Sequence, residues 1–143
     1  MKAKDMSICQ IEGKEYYSVG WIDGHKDFPT QDIDSEFLDK LFILCKNNVM
    51  ERYRSNTPCI LCYPTMDAIR KAVFETNDGI DIYAHHSVTQ EKLLLGTSTI
   101  AIELNGSSYF FPDLLWHYIK EHSYAPPKPF VDLVNSFTPK QVN

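Results

Sequence analysis

Cys59 and Cys62 stand with two residues between them, and His117 and His122 with four, in the runs Cys-Ile-Leu-Cys and His-Tyr-Ile-Lys-Glu-His. Thiolate and imidazole are the ligands a borderline ion such as zinc selects, and tetrahedral sites draw on Cys-x2–4-Cys together with His-x3–5-His. Two cysteines on one turn can bring both sulfurs to about 2.3 Å from a single ion. The spacing therefore predicts one Cys2His2 site for a structural Zn2+, with Cys59, Cys62, His117 and His122 as ligands. The stretch between Cys62 and His117 is far longer than in a zinc finger, so the same chemistry must sit on a larger domain. Residues five apart on a straight helix point about 140° apart. His122 is therefore expected in a distorted last turn, and the Ser123-Tyr124-Ala125-Pro126-Pro127 that follows suits such an ending.

Other chemistry can be drawn on the same residues. The plain alternative is a reduced, buried cysteine pair and a hydrogen-bonded core histidine, since spacing alone overcalls metal sites. A thiol-disulfide redox role for Cys59 and Cys62 would need the pair to follow a strand and open a helix in a βαβ unit. Residues 53–57 make a poor strand, and Pro64 stands two residues past the second thiol. A metal-dependent hydrolase would need an open coordination position and a carboxylate base, for which Glu103 or Glu121 is available. His25, Asp23 and His86 could be drawn as its ligands. His85 and His86 are adjacent, and neighbours on a strand point to opposite faces, so they do not easily share an ion. No serine elbow, phosphate loop or His-Glu-x-x-His occurs.

Size and charge narrow the classes. The 143 residues suit a single domain, 1–143, with 1–14 as a flexible N-terminal segment. At 43% hydrophobic and 13% aromatic residues the chain can form a true core. Its net charge is −5, and Arg52, Arg54, Arg70 and Lys71 make only a thin cationic group, so no nucleic-acid partner is expected. No run of apolar residues has signal-peptide or membrane-span length, so no membrane partner is expected either. Cys9, Cys45, Cys59 and Cys62 then read as thiols or metal ligands of a reducing, cytoplasmic compartment rather than as disulfides.

The elements must place the four ligands together. Tyr16 to Ile22 reads as a strand. Asp34 or Ser35 caps a helix whose Phe37, Leu38, Leu41, Phe42, Leu44 and Cys45 recur at helical spacing, ending near Asn47-Asn48. Pro58 and Pro64 bracket a knuckle around the cysteines. A short helix is expected from Asp67 to Glu75, a turn at Asn77-Asp78-Gly79 and a strand near Ile80–Tyr83. A strand within residues 93–104, the pair Asn105-Gly106 and a return over residues 107–111 read as a hairpin with a type I′ turn, because both central residues there need positive φ. Pro112 suits the first turn of a helix running to His122, and a last helix covers about residues 128–137. The fold class is α+β, a small antiparallel sheet with the hairpin near 93–111, covered by helices.

The C-terminal half carries a more specific pattern. Gly96-Thr97-Ser98-Thr99-Ile100-Ala101-Ile102-Glu103 leads into Tyr109-x-x-Pro112-x-Leu114-x-x-His117-Tyr118-Ile119-x-x-His122-x-Tyr124-x-Pro126-Pro127-x-x-Phe130. Together with Cys59-x-x-Cys62 and Gly20-Trp21-Ile22, this resembles a family of uncharacterised bacterial proteins, a domain of unknown function. The likeness spans about residues 17–134. It departs where Ala101-Ile102-Glu103 replaces the family's Glu-Ile order, and residues 66–92 are longer. The resemblance implies that Cys59, Cys62, His117 and His122 occur together, and it implies no reaction.

The first expectation is accordingly a zinc-stabilised binding or regulatory domain that engages another protein. A site closed by four protein ligands has no position for water. The hydrolase and the redox protein are the alternatives; four protein ligands would favour the structural site over the hydrolase, and three plus water the reverse.

Overall fold

The computed structural model describes residues 5–21, 28–53, 57–75 and 81–138. The long helix α1, Ser35–Asn47, forms as its spacing predicts: the Asp34 carboxylate accepts the Phe37 N–H at 3.0 Å, and Phe37, Leu38, Leu41, Phe42, Leu44 and Cys45 are buried along one side. A side-chain N-cap of this kind contributes about 1 kcal/mol, so most of the helix's stability comes from that buried stripe.

The stripe packs on a five-stranded sheet in the order β1-β2-β7-β6-β3. Its strands are β1 (Ile8–Ile11), β2 (Lys14–Ser18), β3 (Val49–Arg52), β6 (Ser98–Leu104) and β7 (Ser107–Pro112). The hairpin β6–β7 sets the register that alternation predicts, with Ile100 opposite Phe111 and Ile102 opposite Tyr109. Its turn residues Asn105 and Gly106 have φ of 52° and 80°, as a type I′ turn requires. Phe130, from the last helix α4 (Lys128–Ser136), meets Tyr109 and Phe111 edge-on at 5.5 and 5.3 Å, which fixes that helix to the same face. A second sheet of two strands, β4 (Ile82–His85) and β5 (Lys92–Leu95), lies apart from the first. The architecture is α+β with small sheets, as expected.

Several details differ from the sequence reading. Residues 1–14 show no period, yet β1 forms there and pairs with β2 from Ile8–Tyr17 to Ile11–Lys14. The strand expected over 16–22 ends at Ser18, because Gly20 turns the chain at φ +78°. The sheet holds one parallel pair, β2 with β7, where the expectation was wholly antiparallel. Residues 92–104 are two strands, because Gly96 at φ +79° breaks the apolar run. Pro112 does not open a helix. It finishes β7 opposite Thr99, and α3 starts later, at Leu115, running to His122. The helix at Met66–Arg70, α2, is continued by a π-helical turn over Lys71–Glu75. The expected turn at Asn77-Asp78-Gly79, Ile80, and the pair Asp23 and His25 lie outside the described residues.

Two glycines differ in what they tolerate. A Cβ on Gly106 would meet nothing within 4 Å, so Gly106→Ala bears only the strain of positive φ, about 1 kcal/mol. A Cβ on Gly96 would lie 2.2 Å from the Thr57 carbonyl oxygen, so backbone must move as well. Gly96→Ala is expected to lower the melting temperature at least about twice as far as Gly106→Ala. Equal losses in parallel thermal melts would refute the close approach of residues 57 and 96.

Candidate metal centre

The cysteine segment is held by its neighbours before it reaches the site. Tyr53 N–H donates to the Thr97 carbonyl at 2.7 Å, and Thr57 N–H to the Gly96 carbonyl at 2.6 Å. These two bonds tie the segment to the β5–β6 corner. Beyond Pro58 the chain turns sharply, with Tyr63 N–H donating to the Cys59 carbonyl at 2.9 Å. The turn puts Cys59 and Leu61 into the core and leaves Cys62 towards solvent.

The corner is in turn fixed by Asp113, a residue the sequence reading passed over. Its buried carboxylate accepts four hydrogen bonds: from Gly96 N–H at 2.7 Å, Thr97 N–H at 3.2 Å, the Thr97 hydroxyl at 3.3 Å and the Ser98 hydroxyl at 3.1 Å. Burial raises its pKa above the usual carboxylate range, against the pull of those bonds. An aspartate two residues ahead of a helix, beside a glycine-bearing strand end, was the available sign of this role.

The histidines come from α3. Leu115, Trp116, His117, Tyr118 and Ile119 are buried, and the Trp116 indole N–H donates to the Leu38 carbonyl at 3.0 Å, clamping α3 to α1. The helix ends as its geometry demands. Ser123 is left-handed at φ 56°, and its N–H reaches back five residues to the Tyr118 carbonyl, which widens the last turn. Beyond it, Gln31 N–H bonds the Ser123 carbonyl at 2.9 Å, and Tyr124 is buried against Phe28. The expected distortion at His122 is therefore present and anchored. The two imidazoles stand 5.0 Å apart between centroids at 77°.

These two segments meet. Cys62 Sγ lies 3.3 Å from His117 Nε2 and 3.4 Å from His122 Nε2, and Cys59 Sγ lies 3.5 Å from His122 Nε2. All four donor atoms lie within 4.8 Å of one another. A tetrahedral ion at ordinary thiolate and imidazole bond lengths sets sulfur and nitrogen about 3.5–3.6 Å apart. The observed separations fall just short of that, so the cluster can hold a metal ion with little movement. One shared cation would serve all four donors at once.

Electrostatics agree with that assignment. Burial first, then the nearby His122, lowers His117 to about 4, so it is neutral at pH 7 with a lone pair to offer. Burial, then Cys59, raises the Cys62 thiol to about 11 in the metal-free protein. A thiolate becomes favourable here only beside a cation.

The remaining candidates lie elsewhere. Glu103 is exposed on β6 and pairs with Lys14. Glu121, on α3, is near enough to raise Cys62 further, but it is exposed. His85 is exposed at the end of β4, while His86 stacks edge-on against Phe42 at 5.7 Å and its Nδ1 accepts the Val88 and Thr89 N–H groups, both at 3.2 Å. His86 thus builds the β4–β5 turn. The redox context is missing among the described residues: no strand leads into Cys59, and the next helix begins only at Met66.

No helix among the described residues is long and apolar enough to cross a membrane. No curated protein and no solved structure matches the chain. A family model described as a domain of unknown function, DUF7919, matches residues 1–135, nearly the whole chain including all four donors, and the protein therefore belongs to that family.

Proposed function

We propose that Cys59, Cys62, His117 and His122 bind one zinc ion in a closed tetrahedral site, and that the ion is structural. The observation that carries this reading is the convergence of four donors from two segments about sixty residues apart, Cys59 and His122 being 63 positions distant, onto one ion-sized space. Two thiolates with two imidazoles favour zinc over harder cations. Four protein donors leave no coordination position for a substrate or for water, so the site stabilises and does not turn over. The domain then acts through its surface, as a cytoplasmic binding or regulatory module for a protein partner. Support for a partner comes from the short helix beside the knuckle, where Met66 and Phe74 are 71% and 80% exposed. Support for a reducing compartment comes from the thiolates the ion requires.

The direct test is elemental analysis of protein purified without added metal and without a metal-affinity column. About one zinc per chain is expected. Less than about a tenth of an equivalent of any transition metal in folded protein would end the proposal.

A further inference from the structure

A second site lies on the other side of the Gly96 corner. A cavity of about 300 Å³ opens to solvent there, and its wall includes Trp21, Tyr53, Asp113, Leu114 and Tyr118. That volume is at the small end of the range for small-molecule sites. Three of these side chains are aromatic rings, and among the described residues Asp113 is the only charged group on the wall. Asp113 is 2% exposed, so its charge is set in a low-dielectric surround. Four donors hold the carboxylate, but each is a neutral dipole, and no cationic side chain among the described residues pairs with it. The Gly96 and Thr97 amides can only donate, which favours the ionised form. Buried charges are ordinarily paired with a counter-charge. One left unpaired beside an open cavity projects its field into that cavity, where low-dielectric walls focus it.

Tyr118 adds a group that can touch the occupant. The residue is 5% exposed, and its hydroxyl has no hydrogen-bond partner among the described residues, yet it is not sealed from solvent as a fully buried atom would be. The cavity it lines is where that solvent lies. The Tyr53 hydroxyl, by contrast, is engaged by Thr99. A free phenol oxygen accepts an N–H bond, and aromatic walls attract a cation. We infer that this cavity binds a small organic ammonium ion, drawn by the Asp113 charge and the aromatic wall, with one N–H donated to the Tyr118 hydroxyl oxygen. The carboxylate acts through space and needs no contact with the ligand. A neutral molecule of the same shape forgoes that attraction, and an anion is repelled by it. The site shares no donor with the Cys2His2 cluster and stands whatever ion that cluster holds.

The test uses the protein as purified, labelled with 15N-tryptophan, which gives one indole signal each for Trp21 and Trp116. Trp21→Phe removes one signal and so assigns both. n-Butylammonium, 1-butanol and butyrate are titrated as cationic, neutral and anionic probes of one shape. Butylammonium is expected to move the Trp21 signal saturably while Trp116 stays still. Butanol and butyrate should bind at least about tenfold more weakly, since neither gains from the buried charge. Asp113→Asn should abolish the preference for butylammonium over butanol, an unmoved Trp116 signal showing that the variant is folded. Tyr118→Phe keeps the ring and the charge, and should weaken butylammonium about fivefold, the loss of one hydrogen bond. Nα-Acetyl-lysine methylamide carries the same ammonium tail on a peptide unit and should bind no more tightly than butylammonium. Binding about tenfold tighter would overturn the free small molecule in favour of a lysine side chain. A Trp21 signal that butylammonium leaves unmoved, equal movement of Trp116, butanol or butyrate binding as tightly as butylammonium, or an undiminished affinity in Tyr118→Phe would each overturn the assignment.

Discussion

Cys62→Ser is expected to release the ion and lower the melting temperature by about 10 °C or more. The unfolded chain has no preformed site, so whatever free energy the ion gives on binding it gives to folding. Structural zinc binding is worth on the order of 10 kcal/mol in small zinc domains. This chain has a core of its own, formed by α1, β6, β7 and α4, so it need not unfold without the ion. A loss of even about 3 kcal/mol lowers the melting point of a domain this size by about 10 °C. Cys62 is the better choice than Cys59, because Cys62 is exposed and Cys59 is fully buried, so serine at 62 strands no hydroxyl in the core. Chelator on the parent protein should reproduce the shift, and so should mild acid, because protons compete for thiolate and imidazole alike. Thermal melts with and without chelator, beside metal analysis, decide the matter. An unchanged melting temperature after verified metal removal would reject the structural role and favour an open, catalytic site.

The cluster was legible in the sequence because ligand chemistry allows few residue types and few spacings. Cys-x-x-Cys and His-x4-His each survive as local patterns wherever they fall in the fold. What joins the halves was not legible. Thr57 meets Gly96 through backbone groups that every residue carries, and the Gly96 N–H meets the side chain of an aspartate 17 residues away. The hairpin was legible for a different reason: Asn105-Gly106 is one of few pairs that take positive φ twice, and the flanking alternation allows one register. β1 was not legible, because Ile8 to Ile11 is an edge strand whose side chains are half or fully exposed and so leave no alternation to read. Pro112 misled because proline suits both a helix start and the last residue of a strand, and only its pairing with Thr99 chooses between them.

The second large effect is expected at Asp113. In Asp113→Ala four donors lose their acceptor at once. They do not lose it equally. The Thr97 hydroxyl already reaches the Leu94 carbonyl at 3.3 Å and can turn fully to it, and the Ser98 hydroxyl can rotate. The Gly96 and Thr97 amides are fixed by the β5–β6 corner and cannot. Two stranded amides at about 1–3 kcal/mol each predict a loss of roughly 2–6 kcal/mol, or a melting temperature lower by about 7–20 °C. Asp113→Asn should fall between parent and alanine. Its carbonyl oxygen can keep the Gly96 N–H, while its amide group presents a donor to the donors on Thr97 and Ser98. Asp113 is no ligand, so the asparagine variant should retain about one ion per chain, which separates this loss from the one at Cys62. A melting temperature within about 2 °C of the parent for Asp113→Ala would show that water from the adjoining cavity replaces the carboxylate, and that the corner does not depend on it.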